Sequence, residues 1–487
     1  MRRTLLLTAA VMVALVASAS AQNTGDGDRR GLGLFLPFDF TGGGARAEGM
    51  ANACLALSDD IAGGSWNPAG LVVHEGPKLG VSYGSLSANG YSELTELATL
   101  WRYDHSASMS SINGLNFVAP FRMKGHALVG SFNYSNAFQG TGGASFETVV
   151  QEDVYVIRNN IYQLETWDLD VANDQVFEGS VNTVNFSLGT KITPSVSAGL
   201  GVNIYSGEAT VVMTEVVSLL DFPLPPYEQD VRIDINYLRV DTNKFSGFNV
   251  TLGAKRTGER LNLALVVKTP FSLNVTTGRS AYRVRYINGL STMEDSDTSY
   301  TDNQLAKYSI PLTVGIGSAY YLKDNLVLAL DAEYRGYGSS KVKDRDLMLI
   351  TPSGSIEEEF TEYDLNWNSG IALRFGTEYT MKKSFGSVPI RGGVGFIPTP
   401  DKSSVDTDTP KLNAVVPHAI LAPLAEALNS DDTPLMYTFS LGAGIHWSQI
   451  RLDWSYLYSR IDRDQESDVF VMKNRDHQFG FSFTGVF

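Results

Sequence analysis

The chain offers few side chains that are spaced to do chemistry. Gly80-Val81-Ser82-Tyr83-Gly84 matches G-x-S-x-G, the spacing of a nucleophilic serine on a strand-to-helix elbow. That elbow needs a helix behind it and a partner histidine and acid, and the residues around Ser82 alternate as a strand does. The six histidines, His74, His105, His126, His418, His446 and His477, are scattered without the spacing of a metal centre. Asp462, Asp464, Glu466 and Asp468 are clustered, but no glycine completes a calcium loop. They read as solvated acids, or as holders of a cation that bridges lipopolysaccharide. Cys54 is the one cysteine, so it forms no intrachain disulfide and reads as a small buried residue. No catalytic residue, metal or cofactor is expected, and the chain is not expected to be an enzyme.

The elements that would carry any function are strands. The chain has 487 residues and a formal net charge of −15, which disfavours nucleic acid as a partner. Glycine numbers 46 and charged residues make up only 19%. Residues 1–21 read as a secretory signal: Arg2 and Arg3, an apolar core from Leu5 to Val16, and Ala19-Ser20-Ala21 as the cleavage site. No later run is long enough for a spanning helix.

From Lys78 onward the pattern has period two. Val196, Ala198, Leu200, Val202 and Ile204 alternate with Ser197, Gly199, Gly201 and Asn203. Leu326, Leu328 and Leu330 alternate with Val327, Ala329 and Asp331. Runs of about 9–11 residues suit tilted strands that cross a bilayer. Fourteen are expected, at 78–89, 111–123, 126–138, 180–192, 196–212, 245–256, 261–275, 308–322, 326–337, 366–379, 388–398, 435–448, 450–459 and 473–487. The connections alternate between tight turns, such as Lys124-Gly125, and long loops at 90–110, 139–179, 213–244, 276–307, 338–365, 399–434 and 460–472. Short turns on one rim and long loops on the other fit a barrel of the outer membrane. The last strand places Phe479, Phe481, Phe483 and Phe487 on one face, like the signal read by outer-membrane assembly machinery.

The expected architecture is therefore all-β: a 14-stranded antiparallel transmembrane β-barrel with an N-terminal hatch inside the lumen. Residues 22–77 would form the arm and hatch, with a short helix over Ala47 to Leu57, and 78–487 the barrel. The stretch from Gly44 to Leu71 is rich in small residues and can pack closely against a wall. Asp331, Glu333, Arg335, Arg374, Glu378, Arg451 and Asp453 fall on inward positions. On neighbouring strands they would form a lumen charge network, either anchoring the hatch or selecting solutes.

The run GARAEGMANACLALSDDIAGGSWNPAGL resembles the hatch of the FadL/TodX-type outer-membrane transport proteins, with Asn67-Pro68-Ala69 matching their NPA motif. The resemblance implies passive uptake of hydrophobic small molecules, long-chain fatty acids or aromatic hydrocarbons, without an energy-coupling cofactor. It makes Leu32, Leu34, Phe35, Leu36 and Phe38 candidates for an arm that touches the ligand. It implies lateral release beside a kink in the third strand, where Leu128, Gly130, Phe132, Tyr134, Asn136 and Phe138 share a face and Gly130 and Asn136 interrupt its apolar side. Outer-membrane lipids and lipopolysaccharide would be the surroundings. The alternative is a PorV-like relative, which shares the barrel and head but serves as a binding shuttle in protein secretion. An enzyme acting on lipids would need a Ser/His/acid group that the sequence does not assemble.

Overall fold

In a computed structural model the protein is described over residues 42–96, 99–158, 161–222, 231–287, 290–295, 300–350, 356–365, 367–400, 435–464 and 470–487. Fourteen antiparallel strands close into one barrel. The first six are β1 (Lys78–Glu96), β2 (Thr99–Met123), β3 (His126–Arg158), β4 (Ile161–Lys191), β5 (Val196–Phe222) and β6 (Val231–Arg256). The last four are β16 (Gly386–Pro398), β17 (Leu435–His446), β18 (Ile450–Asp464) and β19 (Phe470–Val486). β1 pairs with β19, with Lys78 opposite Val486 and Gly84 opposite Gly480, so the sheet has no free edge.

Four barrel strands lie between these groups, and each is interrupted. β7 (Leu261–Lys268) and β8 (Phe271–Ile287) are halves of one strand, parted at Thr269-Pro270. A short strand, β9 (Leu290–Asp295), pairs on β8. β10 (Tyr300–Ile310) and β11 (Thr313–Lys323) are parted at Pro311-Leu312. β12 (Leu326–Arg335) and β13 (Lys341–Ile350) are parted by a 3-10 turn, Tyr337–Ser339. β14 (Ile356–Asp364) and β15 (Gly370–Lys383) are parted by residues 365–369. The sequence reading took 261–275 and 308–322 as unbroken strands. Proline has no N–H for the ladder, and Pro270 and Pro311 break both.

The alternation sets the two faces of the wall. Leu200, Val202 and Ile204 of β5 are 47%, 37% and 45% exposed, while Asn203 and Tyr205 are buried toward the lumen. Phe186, Phe248, Ile316, Leu330, Phe375, Leu441 and Phe479 extend the exposed apolar belt round the barrel. In water so large an apolar surface would aggregate. In a bilayer it faces hydrocarbon, and closure pairs the backbone that lipid cannot solvate. The protein is an outer-membrane β-barrel.

Lys124 and Gly125 take φ of 50° and 85°, a tight hairpin turn with two positive φ values. The long connections differ from expectation. Much of 90–110, 139–179, 213–244, 276–307 and 338–365 is strand; β3 and β4 stay paired from Leu128 and Thr190 out to Arg158 and Ile161. Bilayer thickness bounds the apolar run, not the pairing, so hairpins continue beyond the membrane. Most of 399–434 lies outside the described residues, as do the signal segment and all of 1–41.

Candidate functional site

The hatch fills the end of the lumen bounded by the tight turns. It comprises α1 (Ala45–Glu48), α2 (Gly63–Trp66) and a 3-10 helix, Pro68–Val73. The short helix expected over Ala47 to Leu57 is only the single turn of α1, because Ala51 and Asn52 take φ of 51° and 64° and end it. The wall holds this unfavourable turn: Ala51 N–H donates to Ser440 Oγ at 2.7 Å. Met50, Ala53, Leu55, Ala56 and Leu57 pack against Ala264, Val266, Ala319, Val327 and Ala329 of the wall. Cys54 is buried between Ala47 and Trp66.

Asn67-Pro68-Ala69 is the point at which the hatch meets β4, β5 and β6. The Asn67 side chain caps the 3-10 helix by accepting from Ala69 N–H at 3.0 Å. Its Nδ2 donates to Leu55 O at 3.1 Å and to Ala254 O on β6 at 3.4 Å. Pro68 stands at the first helical position, where no N–H is needed. Ser197 Oγ donates to Ala69 O at 2.7 Å. A side chain at Gly199 or Gly253 would overlap Pro68 or Asn67, so these inward glycines form the seat of the motif. They were legible as inward glycines; that they were a seat was not.

The charge network anchors hatch to wall. Arg46 donates to Asp59 at 2.7 Å within the hatch and to Glu378 at 2.9 Å on β15. Glu378 also accepts from Arg391 at 2.6 Å, and Arg391 donates to Asp453 at 2.7 Å. Leu55 N–H donates to Asp331 at 2.9 Å, and Glu333 pairs with Arg335 at 2.8 Å and approaches Arg374 at 3.9 Å. Ser455 Oγ donates to Glu48 at 2.6 Å. Five of the seven predicted network residues fall in two ion-pair groups, Glu333 with Arg335 and Arg374, and Glu378 with Asp453 through Arg391. Asp331 holds the Leu55 N–H instead, and among the described residues neither it nor Arg451 makes an ion pair. Arg46 and Arg391 were missed; Arg391 stands opposite Glu378 in the ladder and was findable from register.

Burial shapes the titration of the hatch acids. Asp60 is pushed up to about 6 by burial, against the pull of Arg46, and its Oδ1 is buried without a hydrogen-bond partner. Burial also raises Glu48. It would raise Asp59 too, but Arg46 and Lys255 together hold that carboxyl below its usual range. His74 is lowered to about 4 by burial and by neighbouring Lys78.

Beside the hatch a belt of amides crosses four strands. Asn133 on β3 donates to Asn185 on β4 at 3.0 Å, Asn185 to Asn203 on β5 at 2.7 Å, and Asn203 to Asn249 on β6 at 2.7 Å. Ser187 Oγ ties the belt to the hatch by donating to Gly64 O at 3.0 Å. On the extracellular side of the belt the inward face turns apolar. Ala137, Val181, Tyr205, Ala209, Phe245, Leu273, Val275, Tyr308, Ile310, Tyr337, Val342 and Trp367 form one packed, buried apolar cluster, which we term the chamber. Tyr205 stacks on Phe271 with centroids 4.9 Å apart, and Tyr337 meets Trp367 edge-on at 5.8 Å. The sequence reading allowed polar inward positions and did not say which inward residues would form an apolar cluster. Its signal was the change along one face of β5 and β6, from Asn203 to Tyr205 and from Asn249 to Phe245.

In the third strand, Gly130 lies in regular ladder, opposite Ala119 and Leu188. Asn136 stands at a fork. Among the described residues β2 and β3 pair from Met123 and His126 only as far as Gly114 and Ser135. Beyond that β2 follows β1, and β3 follows β4. The β3–β4 register shifts between Asn136 and Phe138, and Ala137 continues the inward face of Ser131, Asn133 and Ser135 into the apolar cluster. Asn136 Nδ2 donates to Ser111 Oγ at 2.9 Å across the fork. Leu32, Leu34, Phe35, Leu36 and Phe38 lie outside the described residues. Ser82 of the G-x-S-x-G match lies within β1, bonded to Ser482 Oγ at 2.9 Å, with no elbow.

No family model and no curated protein matches the sequence. Solved structures do. A FadL homologue from Pseudomonas aeruginosa superposes with a TM-score of 0.50 at 14% identity, covering 92% of this chain and 99% of that one. The fold is that of the FadL-type barrels. The toluene transporters TbuX of Ralstonia pickettii (TM-score 0.48, 13% identity, 92% and 100% covered) and TodX of Pseudomonas putida (0.47, 12%, 92% and 99%) also align. In this FadL-type barrel the hatch motif, the charge network and the chamber occupy successive parts of one lumen.

Proposed function

We propose that this FadL-type barrel takes up hydrophobic small molecules passively across the outer membrane. The observation that carries the reading is the chamber: a buried lining of aromatic and branched side chains inside a barrel that otherwise presents amides and charges. A water-filled pore has no use for such a lining. An apolar solute gains about 25 cal/mol for each Å² it removes from water there.

The amide belt and the seated hatch oppose onward passage toward the periplasmic rim, because an apolar solute would have to break hydrogen bonds it cannot replace. The fork between β2 and β3 borders the chamber through Ala137, which favours lateral release at that side. A cavity of about 20 Å³ at the chamber floor is lined by Asn249, Lys268, Glu333 and Arg335 on one side and Phe271, Ile310 and Tyr337 on the other. That is room for one water, so a ligand must displace side chains. A hydrocarbon tail or an arene would meet the aromatics there, and an acid headgroup could reach Lys268 and Arg335 only by displacing Glu333, which pairs with both.

The test is mass spectrometry of ligands retained by the purified protein, paired with uptake by cells that carry or lack it. Bound fatty acid or hydrocarbon and an uptake defect on deletion are expected. An empty barrel, or a co-purifying secreted protein with normal uptake, would replace transport with the shuttle reading.

A further inference from the structure

The four interrupted strands are interrupted at one level of the wall. Lys268 faces Thr313 and Phe271 faces Ile310, so between those pairs Pro270 and Pro311 stand opposite each other. Two facing ladder positions therefore have no N–H to give. A proline within a sheet is normally confined to an edge or a bulge, and inside a membrane barrel a lost ladder bond finds no water to replace it. Next to this point, the strand made of β12 and β13 carries two more residues than the one made of β10 and β11 between the facing pairs Thr313–Arg335 and Tyr308–Val342, and the surplus forms the turn that carries Tyr337.

The phase of the wall also changes there. Asn262, Ala264 and Val266 face inward below the seam, and Leu273 and Val275 face inward above it. Outside, Leu263, Leu265, Leu312 and Ile316 are exposed up to the seam, whereas the exposed Lys307, Lys341 and Lys343 stand beyond it. The seam thus lies at the outer edge of the apolar belt. Inside, Ile310, Phe271 and Tyr337 place the chamber directly behind it. The β2–β3 fork is on another sector of the barrel, four strands away from β7.

We propose that the Pro270–Pro311 seam is a second opening in the wall, admitting apolar compounds from the outer leaflet into the chamber. The fork and the seam then give the chamber two membrane-facing doors. The inference rests on the chamber being the ligand site, but the seam can be tested without measuring transport.

The test is thiol labelling in proteoliposomes, with Cys54→Ala and Ile310→Cys as the reporter. Ile310 is buried in the chamber lining beside the seam. A maleimide dissolved in the bilayer, pyrene maleimide, is compared with a charged water-soluble methanethiosulfonate. The bilayer reagent is expected to label at least about tenfold faster. Pro270→Ala with Pro311→Ala restores both donors, and should slow that labelling severalfold. A Thr269→Cys/Leu312→Cys cross-link made across the seam should do the same, reversibly on reduction. A cross-link at Leu265→Cys/Ile316→Cys, facing positions in the regular ladder below, should leave the rate unchanged. Equal labelling by the two reagents, or an unchanged rate in both seam variants, would overturn the proposal. Retained ligand with a closed seam would reject the door and keep the chamber; an open seam without retained ligand would reject uptake and keep the door.

Discussion

The two parts of the lumen are built from opposite materials. The hatch end is small, polar and hydrogen-bonded: Asn67 makes three bonds, Arg46 bridges hatch to wall, and inward glycines let the backbones touch. The extracellular part is large, apolar and aromatic, with Tyr205, Phe245, Tyr308, Tyr337 and Trp367 converging. Directional bonds specify one position and resist displacement, so the first region suits a seal. Dispersion and apolar burial tolerate many shapes, so the second suits a variable apolar guest.

The largest effect should come from unseating the hatch. Gly253→Val places a side chain against Asn67 and Pro68, where the structure has no space. The barrel should still assemble, since its outer belt and closure are unchanged, but single-channel recordings in planar bilayers should show ion conductance that the parent lacks. Silence in this variant would mean that the belt alone seals the lumen. Next in size is Tyr337→Ala, in the chamber and away from the hatch. It should weaken binding of a fatty acid or arene by about tenfold, equivalent to about 1.4 kcal/mol, with no new conductance. If both variants changed both readouts, seal and chamber would be one device.

The belt between the two parts should respond less. Asn185→Leu leaves Asn133 and Asn203 each short of a buried partner. A cost of about 1–3 kcal/mol per orphaned group is expected, seen as a lower thermal unfolding midpoint of the barrel. The double variant with Asn203→Leu should cost less than the two single losses together, because they share a bond.

What the sequence revealed follows from which forces are local. Strand positions and rim asymmetry were legible because period-two alternation is imposed residue by residue by the bilayer. The network residues were legible as charges on inward positions, and Asp331, Glu333 and Glu378 indeed meet hatch or wall partners. Arg46 was not, because its partner Glu378 is 332 residues away and reached only through the closed barrel. The chamber was hidden for a related reason: Tyr205, Leu273 and Tyr337 come from distant strands, and only closure makes their faces a lining. Pro270 and Pro311 were read through as parts of unbroken strands, and their facing positions depend on a register that the sequence does not state.

The smallest expected effect is that of pH on the hatch, and it separates the two parts once more because the apolar cluster itself is built from side chains without carboxyls. Asp60 stands at about 6 in the hatch against 3.8 when free. A carboxyl raised in the folded state binds its proton more tightly there. Docking is therefore penalised above about pH 6 and strengthened as pH falls from about 6 toward 4. Glu48, also raised, acts in the same sense. Asp59, held low by Arg46, costs docking only below its ordinary value, and His74, at about 4, stays neutral across the window. Asp60 faces Arg46 and Asp59, and Asp59 keeps its charge there, so the change comes from Asp60 and Glu48. Hydrogen exchange of Ala51–Gly70 should slow modestly between pH 7 and pH 5 after correction for intrinsic rates. Asp60→Asn should remove most of that change while leaving ligand binding in the chamber unaltered. A pH response that survived this substitution would shift the origin to Glu48, and Glu48→Gln would then abolish it.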